Sequence, residues 1–248
     1  MQTEKIAARG YPLITKLLIA GGALGPLLFI LVFLIEGATR PGYSAWRNFV
    51  SSLSTSNQGW EQIANFLVCG LLVFGFAVGL RQVWHAGRSA TWGPILLGIF
   101  GVALIIAGIF VTDGSLGYPP GSTTSGPQTW HGTIHGVAGL VSFTSLAMTC
   151  FVMARRFAGD PTWRGWALYS VLTGIAVIGL FIVFTATSAL DESGSLPNSP
   201  TGLLQRIAII LGWGWIALLA LRLRRQMRAP DATCEGAKVV DSSESGRR

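Results

Sequence analysis

Charge is scarce in this chain. Only 12% of its 248 residues are charged, 11 of them Asp or Glu, and there are just 3 His and 3 Cys. A water-soluble domain of ordinary makeup carries about 25% charged residues, so that class is excluded. Cys69 and Cys150 fall inside apolar runs, Cys234 falls in a polar tail, and there is no CxxC. These placements argue against both a disulfide framework and a thiolate metal site. H-E-x-x-H and a G-x-S-x-G elbow are also missing, and with them the usual signatures of helical zinc hydrolases and serine hydrolases. No apolar run is visibly broken and no convincing repeat relates the two halves, as they would in many secondary transporters.

What the chain has instead is hydrophobic length, with 50% of its residues apolar. Six stretches can each cross a hydrocarbon core roughly 30 Å thick: Leu13–Ile35, Glu61–Val83, Thr91–Thr112, Gly132–Met153, Gly165–Thr187 and Gly202–Leu223. The first is too long for the apolar part of a signal peptide and is expected to remain as a span. The reading is all-α: a polytopic membrane bundle of six transmembrane helices over residues 13–223. Residues 1–12 form a cytoplasmic segment and 224–248 a disordered basic tail. The 32 glycines suit helices that approach closely in lipid, and Gly75–Gly79 and Gly132–Gly136 have small-xxx-small spacing.

The net charge of +7 points to topology rather than to nucleic acid. Fifteen of the 18 Lys and Arg residues fall on the side that carries both termini, and only Arg40, Arg47 and Arg206 on the other. That asymmetry predicts cytoplasmic termini in a cell-membrane protein, with the Arg222–Arg228 cluster near anionic headgroups. Between spans one and two, Tyr43, Trp46, Phe49, Val50 and Leu53 recur at helical spacing. This predicts a short interfacial helix, with Arg47, Asn48 and Ser51 turned to water. The outer loops Asp113–Trp130 and Ser188–Thr201 read as lids or connectors.

Alternating the spans brings Glu36, Asp113, His131, His135 and Arg206 to one depth at the outer end. Ionisable groups there are costly and either pair with one another or serve a function. His131 and His135 form H-G-T-I-H, an i,i+4 pair on one helix face, and Asp113 is a candidate third metal ligand. Such a donor set would suit Zn²⁺ or iron and would activate a bound water. The alternative is a structural network in which Asp113 pairs with a histidine and Arg206 neutralises Glu36 or Asp113. Ser52 is a candidate hydrogen-bonding support, although serines beside a turn usually satisfy backbone.

RPGYSAWRNFVSSLS, a Gly-Trp followed by Asn65-Phe66, IFVTD, HGTIH and GLLQR occur here in that order and at those positions relative to the spans. In this the chain resembles the domain-of-unknown-function 998 family over roughly residues 15–225. The resemblance implies six spans, gives no established activity, and picks out Arg40, Tyr43, Ser52, Leu53, Asp113, His131, His135 and Arg206. A weaker likeness runs to membrane hydrolases that include the alkaline ceramidases, from which this chain departs in having six spans and two candidate histidines. Three functions follow in order. The first is a non-enzymatic protein binding a lipid, amphiphile or membrane partner at an outer polar cavity. The second is a metal-dependent hydrolase of an amphiphile, with Ser52, Asp113 and Arg206 beside a His131/His135/Asp113 metal centre. The third is a small proton-coupled transporter.

Overall fold

A computed structural model describes residues 10–85, 87–122 and 128–228. It has six long helices, α1 (Leu13–Thr39), α2 (Trp60–Val83), α3 (Arg88–Ile109), α4 (Trp130–Ala158), α5 (Arg164–Glu192) and α6 (Thr201–Arg228). Each is long and apolar enough to cross a membrane. Residues 224–228, expected in the tail, continue α6, while 1–9 and 229–248 lie outside the described residues. Consecutive helices pack side by side and α1 packs on α6, so the bundle closes into a ring. Large apolar side chains point outward along every helix, among them Leu27, Leu31, Leu71, Ile99, Leu140 and Leu172. That is the pattern expected where the solvent is lipid.

Glycines set how closely α2 and α3 approach. A Cβ placed on Gly70 would lie 2.8 Å from the Gly101 carbonyl oxygen, and one on Gly101 would lie 2.8 Å from that of Gly70. Gly75 and Gly79 likewise admit Leu18 and Ile19 of α1, whereas nothing lies within 4 Å of a Cβ on Gly136. Gly70→Ala is therefore expected to lower stability by about 1–3 kcal/mol through overpacking. Gly136→Ala, with open space, should be neutral or slightly stabilising because alanine favours the helix. Melting curves of the two variants in one detergent check the contrast.

The two ends of the bundle differ in kind. At the basic end, the Arg222 guanidinium stacks over Trp163 at 4.2 Å and Trp166 at 5.4 Å, and it donates to the Thr162 carbonyl. Arg156 lies over Trp84 at 4.8 Å. Such aromatic–cation belts suit a headgroup layer. At the other end, residues 40–59 fold over the bundle as a cap. Its short 3₁₀ helix, Val50–Thr55, is the helix expected between the first two spans, but the segment does not turn its polar side to water. Asn48 is 2% exposed, its side chain accepting from the Ser44 N–H and donating to the Leu116 carbonyl. Local turns and long-range polar bonds have replaced the amphipathic helix, because Arg47, Asn48 and Trp46 each donate to an acceptor on another segment while Tyr43 turns back onto the cap's own backbone.

Candidate functional site

Arg206, one turn into α6, is the centre of the cap. Its guanidinium donates to the carbonyls of Ala45 at 2.8 Å, Asn48 at 3.0 Å and Gly202 at 2.8 Å, and to the Tyr43 hydroxyl. Burial pushes the Tyr43 hydroxyl up to about 12 against the opposing pull of Arg206. Tyr43 thus keeps its proton and donates it to the Phe49 carbonyl at 2.9 Å. The expected neutralisation of Glu36 or Asp113 by Arg206 does not occur: no carboxylate pairs with it among the described residues. Two further clasps hold the cap. Gln205 accepts from the Val50 N–H at 2.7 Å, and Arg47 grips Asp191 of α5 with bonds of 2.9 and 2.6 Å.

The residues expected to form a metal centre do not converge. Asp113 accepts from the N–H and hydroxyl of Thr129 at 2.8 and 2.6 Å, and Thr129 in turn caps α4 by accepting from the Gly132 N–H. Gly132 is needed there, since a side chain would run into the Asp113 carboxylate. His131 is exposed and packs on Trp130, with ring centroids 3.6 Å apart. His135, one turn deeper, is 9% exposed, and its Nδ1 lies 3.0 and 2.9 Å from the carbonyls of Ala107 and Phe110 at the end of α3. Both partners are acceptors, so Nδ1 carries the proton and Nε2 is the bare nitrogen. Ser52 sits inside the 3₁₀ helix, its N–H on the Phe49 carbonyl and its own carbonyl accepting from Thr55. No group of three His, Cys, Asp or Glu that could hold a metal is present among the described residues.

His135 instead lines a chamber inside the ring, with Ser142 and Gln205 among aromatic walls that include Phe29 and Trp213, stacked at 4.3 Å. The Ser142 hydroxyl, buried beside it, has no hydrogen-bond partner. At about 70 Å³ the chamber has room for a few waters. It is far below the roughly 300–1,000 Å³ of an ordinary ligand site.

A roomier site opens on the lipid-facing side between α1 and α2, a groove of about 460 Å³. Leu28, Val32, Ala64 and Val68 form its apolar length, while Glu36, Glu61 and Asn65 form its polar end beside Trp60. Glu36 is 4% exposed and neither carboxylate oxygen has a hydrogen-bond partner, its nearest cation being Arg40 at 3.8 Å. Arg40 is committed elsewhere, to Ser56 at 2.6 Å, the Gln58 carbonyl at 2.7 Å and Glu61 at 2.9 Å.

Residues 23–222 match the family described as "Protein of unknown function (DUF998)". The chain belongs to this family. No curated protein and no solved structure matches it. The matched stretch runs from α1 into the last turns of α6 and so takes in the cap, Arg206, the groove and the His135 chamber.

Sequence reasoning missed Asp191, Gln205 and Ser142. A signal existed for the first two: Asp191 is an acid, followed by Glu192, at the end of an apolar run, and Gln205 is an amide one residue before Arg206. Both have the cost at membrane depth that marks a paired or functional group. A serine within a membrane helix, such as Ser142, carries no comparable signal.

Proposed function

We propose that this multi-pass membrane protein binds an amphiphilic lipid at its capped end, in the groove between α1 and α2. One observation carries the reading: a lipid-facing groove of about 460 Å³ ends in a buried carboxyl, Glu36, whose oxygens have no hydrogen-bond partner. A buried polar group left unsatisfied is costly, so a ligand that satisfies it gains accordingly. The volume falls within the range of small-molecule sites, and the groove offers a tail its apolar length and a headgroup its polar end. A larger groove of about 700 Å³ on α2, α3 and α4 is apolar apart from Arg81, and ordinary bilayer lipid fills such a surface without selection. The hydrolase reading draws no support from the histidines, one at the surface against Trp130 and the other held by α3 carbonyls.

The test is lipid retention. Delipidated protein titrated with phospholipid is expected to take up lipid saturably by native mass spectrometry. Ala64→Phe, which fills the groove, should abolish that uptake while leaving the fold intact. Uptake that never saturates, or that Ala64→Phe leaves unchanged, would refute the reading.

We also place the capped end outside the cell membrane and the basic end in the cytoplasm. The positive-inside asymmetry supports this, and so does the engagement of Arg40, Arg47 and Arg206 by partners at the capped end. A Cys at Ser122 should be labelled from outside sealed cells while native Cys234 is not. Cys69 and Cys150 are buried and should stay silent. Reversed labelling would invert the assignment.

A further inference from the structure

The polar end of the α1–α2 groove holds more acids than bases. Three ionisable side chains meet there, Glu36, Arg40 and Glu61, two acids against one base. Arg40 cannot serve both acids equally. Its guanidinium sits 2.9 Å from Glu61 and 3.8 Å from Glu36, and it is further anchored by Ser56 and the Gln58 carbonyl. Glu36 is thereby left without a hydrogen bond at 4% exposure, behind Glu61, whose side chain is 39% exposed at the entrance. Trp60, 66% exposed, lines the groove beside Glu61.

Resting on the lipid-binding reading above, we infer that the groove selects a lipid whose headgroup carries a primary ammonium. The N–H donors of the ammonium engage Glu61 and the orphaned oxygens of Glu36, and one acyl chain lies along Leu28, Val32 and Val68. An ammonium supplies what the site lacks, a compact positive charge with three donors and no acceptor. A quaternary headgroup offers the charge without the donors, and an anionic headgroup would meet the two carboxylates. The apolar groove that continues from the acids fixes the source as a lipid rather than a free amine.

The full-length protein, delipidated in detergent, is titrated with phosphatidylethanolamine, phosphatidylcholine and phosphatidylglycerol of identical chains, and separately with free ethanolamine. Retention is read by native mass spectrometry and by melting temperature. The expected result is phosphatidylethanolamine held about tenfold more tightly than the other two lipids, with no effect of free ethanolamine at matched concentration. Glu36→Gln and Glu61→Gln each remove one of the two carboxyls, and each should bring the three lipids to within about twofold of one another while lipid still binds. If Glu36→Gln does not fold, the wild-type ranking and Glu61→Gln decide. Saturable binding indifferent to headgroup, or a preference that survives the variants that fold, overturns the inference but leaves the lipid-binding reading standing. Stabilisation by free ethanolamine equal to that by the lipid also overturns it, making the site one for soluble amines. An absence of saturable, Ala64→Phe-sensitive binding for every lipid overturns both.

Discussion

Replacing Arg206 with alanine is expected to destabilise the protein by about 3–5 kcal/mol, the loss falling first on the cap. One guanidinium holds three backbone carbonyls and the Tyr43 hydroxyl, from two segments more than 150 residues apart in sequence. Hydrogen bonds from a charged donor contribute roughly 1.5–3 kcal/mol each, and buried acceptors left without a donor cost about 1–3 kcal/mol each. The sum is reduced because the cap end can admit water once it loosens. Arg206→Lys keeps the charge but not the planar fork, so its ammonium reaches fewer of the four acceptors and the loss should be intermediate. Melting in detergent should rank wild type, Arg206→Lys and Arg206→Ala in that order. Limited proteolysis should cut residues 43–58 of the alanine variant well before any helix. An alanine variant that melts with the wild type, its cap still resistant, would mean that the cap holds without this clamp.

Arg206 also shows what the sequence can and cannot disclose. The six helices were legible because a bilayer imposes its thickness on the chain: any apolar run of about 20 residues must be a helix, whatever its neighbours. The ends were less so. The fifth span was expected to stop at Thr187, but α5 continues to Glu192 because Asp191 is drawn inward by Arg47. That Arg206 mattered was legible from its cost at membrane depth, yet its partners were not, because they are backbone carbonyls, which every residue has. The histidine pair illustrates the same limit. Spacing of i,i+4 places His131 and His135 on one face, but one helical turn separates an exposed ring on Trp130 from a buried ring on the α3 carbonyls. Composition and spacing report depth and face. Rotation of each helix about its axis, which decides convergence, is set by packing.

The Arg47–Asp191 pair should respond asymmetrically to the removal of its two members. The Asp191 side chain is 0% exposed and that of Arg47 is 25% exposed. Arg47→Ala leaves a buried carboxylate with the N–H of Ser199 at 2.9 Å, its hydroxyl at 3.3 Å and the Asn198 backbone to offset part of the loss. Breaking a buried pair in this way costs on the order of 3–5 kcal/mol, most of it from the stranded charge rather than from the lost attraction. Asp191→Ala strands a guanidinium that already reaches solvent and can turn fully into it, so a loss of about 1–2 kcal/mol is expected. The diagnostic variant is Asp191→Asn in the Arg47→Ala background. Its amide oxygen can still accept from Ser199, and the buried charge is gone. Melting should therefore rise from the single Arg47→Ala value toward that of the wild type, although a mutation has been added. If the double variant melts no higher than Arg47→Ala alone, the stranded-charge account is wrong, and the clasp acts through its direct bonds alone.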